Sequence, residues 1–359
     1  MKRSQAKNNG IAGSTARCVS QLAVPDGKIG WFPSAVERGL SIVRDYPVSL
    51  CFSVSPRPTS HLVARRLAKT SSIPWVADFA LPWSDASWLS GRPRFVEWID
   101  KQLEVSTLRS AQHITVAYPD IARGICERLG RRRQTTVSVV PTGFAEDLFG
   151  REIRPLFSRF TIVYPGNHFC EGGRHGQCFL KAVDEWVSLN PELKGEIDIV
   201  FIGERHGELE RQRAAMKHPE VIRVTPFISH RACIEAIRSS HLCLVNTVGN
   251  RIPDKVYECM RAQKWILALS DPGSDLENLM RSYPGGIPVA AVDISAIRNA
   301  LHKVWEGSNG ELDQSEPAVA DSFVERYSSR RSAEMLSGIL DELVISPAEH
   351  EMADRNRTR

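Results

Sequence analysis

From about residue 35 to residue 305, short β-branched runs alternate with longer amphipathic stretches, and the alternation is played out twice. The first series has candidate strands at Val48–Ser53, Trp75–Phe79, His113–Ala117 and Thr136–Val140. Helical periodicity lies between them, at Ser34–Arg44, Thr59–Lys69, Phe95–Arg109 and Ile121–Leu129. The second series has strands at Phe160–Tyr164, Ile197–Ile202, Val221–Val224, Leu242–Asn246, Trp265–Leu269 and Pro288–Ala291. Its helices are expected at Gln177–Leu189, Glu208–Lys217, Arg231–Arg238, Lys255–Arg261, Asp275–Tyr283 and Ile294–Trp305. Strands that are apolar throughout, rather than at every second residue, belong in parallel sheets covered on both faces. Repeated strand-helix units therefore predict an α/β protein.

The two series part near Phe144–Pro155, after the turn signal Pro141-Thr142-Gly143. The expected organisation is a leader over 1–25, a first Rossmann-like domain over 26–150 and a second over 151–310. A C-terminal helical segment over 311–345, able to cross back to the first domain, and a disordered polar tail over 346–359 complete it. Within that segment Asp321–Leu343 reads as one long helix. At about 150 residues per domain, 359 residues with 42% hydrophobic content supply two substantial cores. In doubly wound domains, ligands sit beyond the carboxyl ends of the strands, so residues just after each strand carry the functional expectation.

Several classes are excluded. The composition is neither that of a disordered chain nor that of a disulfide scaffold. The eight cysteines form no CxxC pair and sit in apolar runs, as Cys51 and Cys243 do, which points to buried thiols and a reducing cytoplasm. No stretch reaches 18 apolar residues, the length needed to span a bilayer. The first 25 residues are basic but lack the apolar region of a secretory signal. A formal net charge of +4 is too weak to argue for nucleic acid, and fits a phosphate-bearing ligand or an anionic membrane surface touched peripherally. Arg131-Arg132-Arg133 and the basic face of Thr59–Lys69 read as solvated surface. The ten histidines show no metal-ligand spacing, and neither a nucleophile elbow nor a dinucleotide fingerprint occurs.

Two loops carry chemistry. YPGNHFCEGGRH (Tyr164 to His175) follows the first strand of the second series. Gly166, Gly172 and Gly173 allow close backbone approach, Asn167 lies among them, and Arg174 offers a planar cation suited to phosphate. Such a turn is also commonly a turn and nothing more. NTVGNRIPDKVYECM (Asn246 to Met260) follows another strand. Pro253 and Asp254 suit a helix start, and Lys255 and Glu258 share one face. A lone Lys-x-x-Glu is commonly a surface ion pair. Placed beside Arg174, Lys255 would instead flank a diphosphate, Asn250 would lie in the same donor loop, and Glu258 would accept ribose hydroxyls. In the first series, VADFALPWSD places Asp78, Trp83 and Asp85 after a strand. Asp78 and Trp83 are acceptor-side or sugar-contact candidates, and Asp78 reads equally well as a helix or turn cap. PTGFAEDLF (Pro141 to Phe149) reads as an interdomain hinge packed over Phe144 and Phe149.

Taken together, six ordered blocks resemble the glycosyltransferase family 4-like group of the GT-B fold. They are DGKIGWFPSAVERGL (Asp26 to Leu40), SVSPRPTSHLVARRLA (Ser53 to Ala68), IPWVADFALPW, VVPTGFAEDLF, IVYPGNHFCEGGRH and IPDKVYECMRAQKWILAL. The resemblance spans roughly residues 26–340. It implies two Rossmann-like doubly wound domains and transfer of a sugar from a nucleoside diphosphate donor to a hydroxyl acceptor, with retention. Polysaccharide or glycolipid synthesis would be the setting, at the cytoplasmic side of the membrane. Arg174 and Lys255 would neutralise the leaving diphosphate in place of a metal, so no cofactor is expected. The chain departs from the family pattern at Ala80-Leu81, where Arg-Asp is usual, at Thr142, where Asn is usual, and at Asn250, where many members carry Glu. Because the match begins at Asp26, the N-terminal domain is expected to be incomplete, with residues 1–25 read as a disordered tail or as the product of a displaced start codon. The alternative function is an inactive remnant or subunit that only binds nucleotide. An epimerase of the same architecture would need acid–base carboxylates that these blocks do not offer.

Overall fold

The computed structural model describes residues 23–84, 92–130, 135–150, 152, 154–166, 169, 175–203, 207–247, 250–308 and 317–344. It divides into two compact units, unit 1 from Met1–Pro141 and Ala333–Arg359, and unit 2 from Thr142–Ser332.

Unit 1 contains α1 (Phe32–Asp45), β1 (Cys51–Val54), α2 (Thr59–Ser71), β2 (Trp75–Phe79), α3 (Arg94–Leu108), β3 (His113–Val116), α4 (Pro119–Leu129) and β4 (Thr136–Val139). Prolines sit in the first turns of α1 and α4, where a missing N–H costs nothing, and α2 ends at Ser72 with a left-handed φ of 54°. The four strands are parallel and lie in chain order, β1-β2-β3-β4. Right-handed crossovers along such a sequence put α2, α3 and α4 on the same side of the sheet. That side is apolar. The register aligns Ala77 with Ile114 and Phe79 with Val116, and all four are buried.

The opposite side carries Phe52, Val54, Asp78, His113, Thr115 and Ser138. The charge of Glu342 in the C-terminal helix raises the proton affinity of His113 on this side, against the stronger effect of burial, which lowers it. Phe52 and Val54 stay 39% and 47% exposed. The expectation of sheets covered on both faces is therefore corrected for β1: winding in one direction leaves that edge of the second face open.

Unit 2 contains β5 (Phe160–Pro165), α5 (His175–Leu189), β6 (Ile197–Ile202), α6 (Gly207–Ala214), β7 (Ile222–Thr225), α7 (His230–Ser239), β8 (Leu242–Asn246), α8 (Lys255–Arg261), β9 (Trp265–Ser270), α9 (Asp275–Ser282), β10 (Gly286–Ala290), α10 (Ile294–Glu306) and α11 (Asp321–Glu325). The strand order is β10-β9-β8-β5-β6-β7, all parallel. The chain winds outward from β5 to β7, then restarts on the other side of β5 at β8, so helices cover both faces. One core layer centres on Phe169, whose ring meets those of Tyr164, Phe179 and Phe201 at 4.9, 5.5 and 4.8 Å. Full burial of side chains such as Phe179, Trp186 and Phe201 contributes roughly 1.5–3 kcal/mol each.

Several element bounds differ from expectation, β1 beginning at Cys51 rather than Val48 and β10 at Gly286 rather than Pro288. α6 stops at Ala214 rather than Lys217, because Asp184 accepts the N–H groups of Lys217 and His218 at 2.9 and 3.0 Å. The single helix expected over Asp321–Leu343 is two, α11 and α12 (Ser329–Val344). Between them Phe144 N–H donates to Tyr327 C=O at 3.0 Å, and Ser329 N–H donates to Phe144 C=O at 2.8 Å. Tyr327 also stacks on Tyr257 at 5.1 Å. A strand-like pairing takes the backbone groups that a continuous helix would have used.

Candidate functional site

The strand order of unit 2 reverses between β5 and β8. Strands on either side of such a reversal send their following loops apart and leave a crevice at their carboxyl ends. The loops after these two strands are the ones singled out from the sequence. Gly166 directly follows β5, and its N–H donates to Ile202 C=O at 3.1 Å. A side chain there would press on the buried Tyr164 ring, at 2.9 Å from a Cβ. At the end of β8, Asn246 donates its side-chain amide to Phe169 C=O at 3.1 Å, which ties the two loops together. Asn167, Arg174, Gly172 and Gly173 lie outside the described residues, as do Asp85 and the run Arg131-Arg132-Arg133.

Asn250 lies at a turn ahead of α8 and is exposed. Lys255 and Glu258 open α8 and pair with each other. The Lys255 ammonium donates to both Glu258 carboxylate oxygens, at 3.0 and 2.8 Å. Glu258 is only 7% exposed. Its Oε1 also stands 2.6 Å from His230 Nε2 at the start of α7. The carboxylate is thus held between a cation from its own helix and an imidazole from the neighbouring one. Beneath it, burial pushes the Cys233 thiol up to about 11, with Lys255 and Glu258 acting on it in opposite directions. Thr142, where the resembling family carries Asn, donates its hydroxyl to Asp254 at 2.8 Å.

Two histidines at this end of the sheet carry no spacing signal in the sequence. His230 is 28 residues from Glu258, and only the packing of α7 beside α8 brings them together. His175, at the first position of α5, is 9% exposed, with Nε2 3.6 Å from an Asp271 carboxylate oxygen beyond β9. Its Nδ1 is buried without a hydrogen-bond partner among the described residues.

In unit 1, Asp78 is the next-to-last residue of β2 and is partly buried. Burial raises its carboxyl above the ordinary range, and the Thr115 hydroxyl, donating at 2.6 Å, pulls the other way. Its carboxylate therefore braces β3 rather than capping a helix. Trp83 requires correction as a sugar contact. It is 1% exposed and its indole N–H donates to Asp100 at 3.0 Å. Asp100 also receives Arg92, whose guanidinium donates to the Ala23 and Pro25 carbonyls. Trp83 is a buried brace between α3 and the segment after β2, because this polar network claims its only polar group. Among the described residues no group of three or more His, Cys, Asp or Glu side chains is placed to hold a metal.

Of the segment Pro141 to Phe149, all but Pro141 belongs to unit 2. Phe144 and Phe149 are buried edge to face, 5.9 Å apart, under the Arg261 guanidinium, which also pairs with Glu146.

Solved structures share this architecture over most of their length. Sucrose-phosphate synthase (tll1590) from Thermosynechococcus elongatus superposes with a TM-score of 0.62 at 15% identity, over 88% of this chain and 79% of that one. Anabaena Alr3699/HepE in complex with UDP and glucose gives 0.65 at 11% identity, over 88% and 83%. The fold is GT-B. An α,α-trehalose-phosphate synthase (UDP-forming) from Burkholderia vietnamiensis shares the GT-B fold as well, with a TM-score of 0.65 at 12% identity over 88% and 76%. No family model matches the sequence, and no curated protein matches it. At these identities the likeness establishes the GT-B architecture alone.

Proposed function

We propose that this chain is a glycosyltransferase of the family 4-like kind, moving a sugar from a nucleoside diphosphate sugar to a hydroxyl acceptor with retention of configuration. The carrying observation is that the two loops bearing its candidate donor residues follow β5 and β8, the strands between which the sheet order reverses. The UDP and glucose bound by Anabaena HepE support the same reading for the donor. In this mechanism the bond from the anomeric carbon to the diphosphate breaks, and its electron pair leaves with the diphosphate. Lys255 and Arg174 neutralise that growing charge, so no metal is required. The acceptor oxygen forms the new bond to the anomeric carbon, and its proton passes to an oxygen of the departing diphosphate.

Glu258 accepts from the ribose hydroxyls, and Gly166, Asn167 and Asn250 line the donor loop. Lys255 turns from Glu258 to the phosphates as donor binds, leaving His230 on the carboxylate. Asp78 is the acceptor-side candidate of unit 1. Glycolipid or polysaccharide synthesis on the cytoplasmic side of a membrane is the setting this chemistry fits.

Calorimetry with UDP and GDP tests the donor site. Lys255→Ala and Arg174→Ala are each expected to weaken binding by more than about tenfold, roughly 1.4 kcal/mol. Unchanged affinity in both variants sinks the assignment. Glu258→Gln should weaken nucleotides more than free pyrophosphate. Tight nucleotide binding with no release of diphosphate from any donor sugar would instead favour an inactive, nucleotide-binding protein.

A further inference from the structure

Helix α3 presents a side that the rest of unit 1 does not use. It buries Val96, Asp100, Glu104, Thr107 and Leu108. At 100° per residue its outer side carries Phe95, Trp98 and Ile99, at i, i+3 and i+4, which are 62%, 64% and 43% exposed. Arg94, Lys101 and Arg109 are exposed on the same arc. The helix has one exposed acid, Glu97, which neighbours Arg94 and Lys101 at i−3 and i+4 and is turned away from the Phe95, Trp98 and Ile99 stripe. The surrounding unit has the same character. Unit 1, residues 1–141 with 333–359, contains 23 Lys and Arg against 16 Asp and Glu, whereas unit 2, residues 142–332, contains 23 against 26. Of 13 large apolar side chains exposed among the described residues, nine belong to unit 1.

We propose that the first two turns of α3 form a membrane-docking surface whose partner is an anionic lipid bilayer. Aromatic side chains favour the headgroup layer, and Arg and Lys stems lie along apolar surface while their cations reach lipid phosphates. The charge of the unit complements an anionic leaflet, and each basic side chain near it adds attraction. A second copy of the chain would bring the same basic arc against itself, where like charges oppose association. The face is a convex helix surface carrying an aliphatic residue, unlike the grooves in which nucleic acid strands track and stack.

The placement has a consequence for acceptor choice, which rests on the proposed glycosyl transfer. Trp83 and Arg92 fasten Asp100 to the segment after β2, so α3 begins at the carboxyl end of the sheet, where Asp78 also lies. A bilayer held there brings a lipid-linked hydroxyl to the Asp78 end of unit 1.

Flotation of the full chain with vesicles of phosphatidylcholine alone, or of phosphatidylcholine with phosphatidylglycerol, tests docking without any sugar donor present. The chain is expected to float with the anionic vesicles, and to be released by high salt. Phe95→Ala/Trp98→Ala and Arg94→Glu/Lys101→Glu should each lower partitioning at least about tenfold with unchanged melting, while Leu189→Ala on unit 2 changes nothing. Brominated lipid should quench the wild-type fluorescence more than that of Trp98→Phe. No flotation with anionic vesicles overturns the proposal, as does flotation of both double variants like wild type. A dimer in sedimentation that Trp98→Ala dissociates also overturns it, assigning the face to a second copy. UDP and GDP affinities of the same variants, expected to match wild type, separate a failure of docking from a failure of the donor site.

Discussion

His61 is fully buried in unit 1, with Nδ1 2.8 Å from the Ser53 hydroxyl oxygen, which also accepts the Trp75 indole N–H at 2.8 Å. Its ring lies 4.3 Å from that of Phe79, and Nε2 has no hydrogen-bond partner among the described residues. Burial lowers its proton affinity to about 3. Between that value and the ordinary 6.5, the unfolded chain binds one more proton than the folded one. Stability from this group is complete above pH 6.5 and is lost as the pH falls, by about 1.4 kcal/mol per unit. Denaturant unfolding at pH 7 and pH 5 should therefore differ by about 2 kcal/mol less in His61→Gln than in wild type. An identical pH response in both would contradict a neutral His61. At the donor loop, His230→Ala removes one of the two groups that hold the nearly buried Glu258 carboxylate. Calorimetry should find UDP and GDP weakened about tenfold and pyrophosphate unaffected, since the loss falls on the ribose end. Lys255 and Glu258 were legible from their i, i+3 spacing, whereas His230 was not, because its contact depends on how two helices pack.

At the scale of elements, the strands were legible because continuous apolar runs have one stable environment, the middle of a parallel sheet. β2, β6 and β8 begin and end where their apolar runs do. Boundaries shifted where a distant group intervened. β10 begins at Gly286, which reads as a turn residue, because a Cβ there would stand 2.0 Å from Met280 C=O. The split between α11 and α12 has the same origin, a backbone pairing across more than 180 residues that no local pattern encodes. Gly143 sits at that pairing with φ of +68°, and a Cβ on it would stand 2.4 Å from Tyr327 C=O. Gly143→Ala therefore combines left-handed strain of about 1–2 kcal/mol with a backbone clash. Calorimetric unfolding should show unit 2 melting several degrees lower. An unchanged midpoint would mean that the Phe144–Tyr327 pairing adds nothing to stability.

For the whole molecule, each unit carries its own buried core, and in unit 2 one layer of it runs from Phe160 to Leu301 along one face of the sheet. Residues 142–332 alone should consequently unfold in one cooperative transition and keep UDP or GDP binding, read by scanning calorimetry and titration. A gradual melt with exposed apolar surface would show that this core needs the rest of the chain. Charge is distributed by unit as well, with 23 Lys and Arg against 16 Asp and Glu in unit 1 and a slight acidic excess, 23 against 26, in unit 2. A donor site of the kind proposed would thus rely on local cations such as Lys255 rather than on the net field of its unit.

The α/β class, the ten strands and the loops worth examining came from the sequence by itself, because hydrophobic periodicity and glycine placement are local. Tertiary structure decided the strand order, and with it which loops flank the reversal between β5 and β8. It also decided that Trp83 is sealed beneath α3 while Trp98 stands in solvent, although both are tryptophans only 15 residues apart. Burial is a property of what packs above a residue, and the residues that pack above are set by the order of strands rather than by neighbours along the chain.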